Sequence, residues 1–416
     1  MSDARELPPL TTRLVVLMAV GSGLSVASNY YVQPLLPELS AAFGASSWAV
    51  GLLVTVSQVG YVVGLALLVP LGDLVERRRL AVSVCALTGA ALAVVAVAPG
   101  LPVLFPAIAI VGVTSVGAQV FVALAADLAR GDQRGRAVGT VMGGLLIGIL
   151  VARTVAGLIA EAAGWRAVYA VGAVLMAALA ALAWRELPRV SPSTRTSYRA
   201  LLASIGALVR EEPVLRRRGA YGALGFASFS VLWTSVAFML DDVYGYGEAT
   251  IGLFALLGVV GAGVAQVAGR LADAGWARVA TLGFFLSLAL SWVVLVRAEG
   301  SLAALVIGIV LLDLAAQGAH ISNQSEVYRL RPDARSRLTT AYMCMNFTGG
   351  VVGSASSAAL YGWGGWSAVC AAGGAFSLLA LGLWLTEARW PLLRMRHATD
   401  VPRTEAIPAP SPATSD

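Results

Sequence analysis

Apolar runs, each long enough to cross a hydrocarbon layer of about 30 Å, alternate with short polar connections along most of the chain. Twelve such runs are predicted as helices, at about 14–36, 47–71, 80–98, 102–126, 137–160, 165–185, 219–240, 249–271, 278–296, 302–326, 338–361 and 367–387. The alternation breaks once. From Glu186 to Arg218 the chain is polar, with Ser-Pro-Ser-Thr-Arg-Thr-Ser at 191–197. Within it Tyr198, Leu201, Leu202, Ile205, Leu208 and Val209 recur at helical spacing, which predicts a short helix lying on the membrane surface or under the bundle.

The tenth run departs from its neighbours, because it carries Asp313, Gln317, His320, Asn323 and Gln324. At about 100° per residue, positions 313, 317, 320 and 324 fall within roughly 60° of one another, a narrow polar stripe on an apolar cylinder. A charge at the centre of a spanning helix costs about 2.5–3.5 kcal/mol on insertion scales, so it faces the protein interior or a wet cavity. Asp313 is the only acid in the middle of any predicted span. An acid opened alternately to the two sides of a membrane can take a proton from one and release it to the other. His320, about two turns away on the same face, is a candidate to relay or share that proton.

Composition agrees with an all-α membrane protein. The chain has 416 residues, 58% of them hydrophobic and 12% charged, with a mean hydropathy of +0.79. The net charge of +6 invites a nucleic-acid reading, which the placement of charge excludes. The arginines gather in alternate connections: Arg77 to Arg79, Arg130 to Arg136, Arg185 to Arg218, Arg278, Arg329 to Arg337, then Arg394 and Arg396. The other connections hold Glu38, Glu161, Asp241, Asp242, Glu248, Glu299 and few arginines. By the positive-inside rule both termini lie in the cytoplasm, and the expected location is a bacterial inner membrane crossed many times. All 29 basic residues are arginine, so no Gly-x-x-x-x-Gly-Lys nucleotide loop can form. Cys85, Cys344 and Cys370 all fall in apolar runs and read as buried free thiols. No metal site or cofactor is expected, and no paired mid-span acids or His-Glu-x-x-His helix supports a membrane enzyme.

The chain repeats itself. Asp132-Gln-Arg134-Gly-Arg136 returns 201 residues later as Asp333-Ala-Arg335-Ser-Arg337, and Gly164-Trp165 returns at the same offset as Gly365-Trp366. Leu71-Gly-Asp73 returns 200 residues later as Leu271-Ala-Asp273. A duplicated six-span unit is an architecture of secondary transporters, with the site near the midplane between the repeats. The expected organisation is a cytoplasmic tail at 1–13, a six-helix bundle at 14–187 and a linker at 188–217. A second, pseudo-symmetric six-helix bundle follows at 218–389, then a disordered tail at 390–416.

These features resemble the major facilitator superfamily over about 14–387, and within it the bacterial drug or sugar efflux branch of proton antiporters. The family's loop between spans 2 and 3 reads Gly-x-Leu-Ala-Asp-Arg-x-Gly-Arg-Arg. Here Val69-Pro-Leu71-Gly-Asp73-Leu-Val-Glu-Arg77-Arg78 keeps the Asp and the last two Arg but loses both glycines and the first arginine. Gly269-Arg-Leu271-Ala-Asp273-Ala-Gly-Trp-Ala-Arg278 is the second copy. The resemblance implies that Asp73, Arg77, Arg78 and Asp273 belong to a gating latch between the halves, with Asp127 in the adjoining charge network. The alternative is a helix-capping acid beside topological arginines. Drug antiporters also share Gly-x8-Gly-x3-Gly-Pro-x2-Gly-Gly in span 5; here Gly139, Gly148, Ala152, Arg153, Ala156 and Gly157 fill that frame, with arginine in the proline's place. Arg153 then lies within the membrane, to contact an anionic or carbonyl-bearing substrate or to pair with Asp313 or another acid.

In this fold, as the resemblance implies, spans 1, 4, 7 and 10 line the central cavity. The candidate substrate contacts are therefore Asn29 and Gln33, Gln119, Trp233 and Thr234, Gln317 and Gln324, joined by Arg153 and by Asn346 of span 11. Amides suit a site that bonds its cargo without fixing a charge, although any one of them could equally join two helices. The expected partners are a small-molecule substrate, protons as coupling ion and the lipid bilayer, with the chain acting as a monomer. Export of drug-like compounds leads, and sugar or metabolite export comes second.

Overall fold

The computed structural model describes residues 10–130, 133–190, 196–259, 268, 270–271, 274, 276–331 and 334–389. These residues are helical throughout, as lipid requires, since a helix satisfies its own backbone hydrogen bonds where no water can. The first half contains α1 (Thr12–Ala27), α2 (Leu36–Phe43), α3 (Ser47–Leu71), α4 (Arg77–Ala96), α5 (Leu101–Thr114), α6 (Gly117–Leu128), α7 (Arg134–Ala163) and α8 (Trp165–Glu186). A linker helix, α9 (Tyr198–Glu211), leads to α10 (Pro213–Tyr244) and α11 (Glu248–Phe254), which tightens into a 3-10 turn at Ala255–Gly258. The second half closes with α12 (Ala277–Leu295), α13 (Leu302–Tyr328) and α14 (Arg335–Arg389).

Among the described residues nine helices are long and apolar enough to cross a membrane. One of them, α14, is two spans merged across Gly364 and Gly365. The shorter apolar helices Thr12–Ala27 and Glu248–Gly258 stand where spans 1 and 8 were expected. Each of the twelve expected spans thereby has a helical counterpart among the described residues. Span 1 is not the continuous helix that its hydropathy predicts. It stops at Ala27, and residues 28–35 run on as successive turns with Asn29 and Tyr30 bonded to the carbonyls of Val26 and Ala27. Span 4 also breaks, between α5 and α6, and the two breaks meet: the Ser28 and Ser115 hydroxyls lie 3.0 Å apart.

The sequence repeat has a structural counterpart. Gly164 and Gly365 both take positive φ, +80° and +61°, and each is followed by a buried tryptophan, Trp165 or Trp366. A side chain is strained in that backbone region, so glycine ends one span and the next can turn back at once. One apolar core fills the first half and separate clusters fill the second. Ile147, Val174, Val293 and Leu378 point outward as an apolar belt.

The halves meet closely towards the arginine-poor end of the bundle. A Cβ at Gly157 of α7 would stand 2.1 Å from the Glu248 carbonyl oxygen of α11, and one at Gly51 of α3 would stand 2.8 Å from the Ala358 Cβ of α14. The Thr154 hydroxyl donates to the Gly252 carbonyl at 2.8 Å, and Glu161 accepts the Ala249 amide at 3.0 Å. Nearer the arginine-rich end, α9 bridges the halves. The Tyr198 hydroxyl donates to the Leu67 carbonyl at 2.9 Å, while Leu208 packs with Leu215, Val327 and Leu338.

Candidate functional site

Arg153 sits on α7 with 4% of its surface exposed, and Asp313 sits on α13, equally buried. No carboxylate lies within ion-pair distance of Arg153 among the described residues, so the direct pair with Asp313 does not form. Trp233 of α10 stands between them. Its ring face meets the guanidinium, 4.2 Å from Cζ to the ring centroid, and its Nε1–H donates to Asp313 Oδ1 at 3.0 Å. On the other side Tyr30 offers a second ring at 4.8 Å, and Arg153 Nε donates to Gln33 Oε1 at 2.5 Å. A desolvated cation over an aromatic face gains about 2 kcal/mol, which offsets part of the several kcal/mol that burying an ion costs. One guanidinium nitrogen, Nη2, is buried without any hydrogen-bond partner.

Tyr30 and Gln33, three residues apart in the turns after α1 and joined by a Gln33 amide to Tyr30 carbonyl bond, both reach Arg153. A cleft of about 10 Å³, room for roughly one water, opens between the halves here, lined by Gln33, Pro34, Arg153, Trp233, Val236, Ala237 and Ile251. Asp313 faces the other way: its Oδ2 lies where a Cβ on Gly258 would come within 2.8 Å of it.

The remaining polar positions form separate groups. His320 is one: its Nδ1 lies 3.2 Å from the Tyr342 hydroxyl, and Asn346 lies beside its ring. No bond joins it to Asp313 among the described residues, and at 1.5 Å rise per residue it lies about 10 Å along the helix. Arg218 Nη1 donates to Asn323 Oδ1 at 3.3 Å, close to the same tyrosine. Asn29 accepts from the Ser57 hydroxyl, Gln119 lies beside Tyr61, and Gln324 lies beside Tyr328. Gln317 is half-buried on α13. The Thr234 hydroxyl turns back to the Ser230 carbonyl of its own helix at 2.7 Å, away from the cleft.

At the arginine-rich end Arg77 pairs with Asp73 at 3.0 Å and with Asp127 at 2.5 Å, a network contained in the first half in this conformation. Arg78 lies over the Trp184 ring at 4.6 Å. Asp273 lies outside the described residues. The sequence missed Tyr30, Arg218 and Tyr342. An aromatic in an apolar run reads as packing, and an arginine at a span's start reads as topology.

Two repeated helical halves with buried charge-bearing groups at their junction define a multi-pass membrane transporter. The chain belongs to the Major Facilitator Superfamily, whose family model matches residues 18–325. It is 46% identical to the uncharacterized transporter YgaY of Escherichia coli O157:H7 over 90% of this chain and 95% of that protein. It is 36% identical to a probable transporter of Streptomyces coelicolor, over 90% and 86% of the two chains. Its fold superposes with TM-score 0.71 on an inward-facing, unoccupied bacterial homologue of the human lysosomal transporter Spinster. That match is 15% identical and covers 91% of this chain and 98% of the other. Family and relatives are transporters, not enzymes, and a protein of this fold moves small molecules across a membrane.

Proposed function

We propose that this protein is a secondary active transporter that exports a small organic compound in exchange for protons, by alternating access between its halves. Drug-like amphipathic compounds are the first substrate class, in keeping with the resemblance to the efflux branch and the apolar cleft lining, although span 5 departs from the drug-antiporter pattern at Arg153; sugars and metabolites come second. It would act as a monomer in the bacterial inner membrane with both termini in the cytoplasm, a location the bacterial relatives support and an orientation the arginine distribution supports.

The observation that carries this reading is Asp313. It is buried at the junction of the halves and held by a neutral indole N–H rather than by a guanidinium. An acid locked in a salt bridge would stay ionised through the cycle, whereas one held by a single neutral donor can take and release a proton as the halves rock. In inverted membrane vesicles, Asp313→Asn is expected to abolish proton-driven uptake of the exported compound while expression stays at the wild-type level. Normal proton-driven flux in that variant would remove Asp313 from the mechanism.

A further inference from the structure

We propose that the cargo is an organic anion, an oxyanion carried on an apolar body, and that Arg153 is the group that receives the oxyanion. This rests on the transporter reading above and gives its site a substrate class.

Arg153 is short of acceptors. A cation in a low-dielectric interior is held by an anion or by a full set of acceptors. Here Gln33 takes Nε, two aromatic faces cover the plane, and Nη2 is left without an acceptor. The arginine also lines the cleft between the halves, so its free donor belongs to a space that the transport cycle opens. A guanidinium presents donors in a rigid fork that matches the two oxygens of a carboxylate. The rest of the cleft suits an apolar body, with Pro34, Val236, Ala237 and Ile251 beside the Trp233 ring.

A cationic cargo would need the opposite arrangement. Asp313, which shares Trp233 with Arg153, turns one oxygen to that indole and the other towards the backbone at Gly258. A cation in the cleft would therefore meet the fixed charge of Arg153 first and the acid only behind an indole ring. A neutral cargo would leave Nη2 dependent on a single carbonyl. An oxyanion satisfies both the charge and the donor.

The test is a thermal-shift titration of the purified full-length protein with benzoate, benzamide and benzylamine, which share ring and size and differ in charge. Benzoate is expected to raise the melting temperature with concentration, and the neutral and cationic analogues are not. Arg153→Gln is expected to weaken benzoate binding about tenfold or more, as for a lost charge-assisted hydrogen bond, and Arg153→Lys by less. Asp313→Asn should retain the benzoate response. Loss of proton-driven flux in that variant with the response intact therefore tests the coupling reading alone. Absence of a benzoate shift, equal shifts with all three compounds, or wild-type benzoate binding in Arg153→Gln overturns the proposal. Should that variant not fold, Arg153→Lys decides: it keeps the charge but not the fork, and wild-type affinity there also overturns the proposal.

Discussion

Trp233 joins the two charged residues without letting them touch. Its ring face is the negative end of a quadrupole and sits against Arg153, while its N–H, at the positive edge, points at Asp313. One side chain thereby serves a cation from the first half and an acid from the second. Trp233→Phe keeps the face and removes the donor. A hydrogen bond to a charged group contributes about 1.5–3 kcal/mol, so proton-driven flux should fall by about tenfold or more while the fold and benzoate binding persist. Trp233→Leu should lose both flux and benzoate binding. Unchanged flux in Trp233→Phe would show that the indole N–H has no part in coupling. Asp313 and Arg153 were legible in the sequence because charge is rare inside apolar runs. Their relation was not, since it depends on how four spans approach one another. Thr234 illustrates the limit: one residue from Trp233, it points about 100° away around α10 and spends its hydroxyl on its own helix.

At the level of elements, hydropathy located the spans but did not reveal where they unwind. Residues 28–35 are as apolar as the helix before them, apart from Ser28, Asn29 and Gln33, and Pro34 is the one local sign of a break. The 3-10 turn at Ala255–Gly258 leaves even less trace. Both irregular segments lie beside the buried charges, where backbone that departs from the α-helix is sheltered by protein rather than lipid. The closure of the arginine-poor end depends instead on small residues, which were legible. Gly157 packs against the backbone of α11, and a backbone atom cannot swing away as a long side chain can. Gly157→Val should therefore hold α7 and α11 apart and favour the form open at that end. A cysteine placed at Thr154 would then react with an impermeant thiol reagent several-fold faster than in the wild-type background. An unchanged labelling rate would mean that the helices part elsewhere.

For the whole molecule, duplication and charge asymmetry were the most readable features, and they fix what a transport cycle must do with charge. The Gly-Trp corners at 164–165 and 365–366 show the two halves using one device 201 residues apart. The basic connections lie at one end, which is the cytoplasmic side in the proposed orientation. If an anion leaves and a proton enters, both movements carry positive charge inward, two charges per cycle. Each is worth about 2.3 kcal/mol per 100 mV of inside-negative potential. Co-transport of the anion with its proton would instead move no net charge. Proteoliposomes loaded with the carboxylate that gives the largest thermal shift, and clamped with potassium and valinomycin at equal pH on both sides, separate the two. Exchange predicts efflux that accelerates as the interior is made more negative. Efflux that ignores potential and follows only a pH gradient would mean that proton and anion travel together. The cation at Arg153 would then remain the cargo's anchor, while the direction of coupling would reverse.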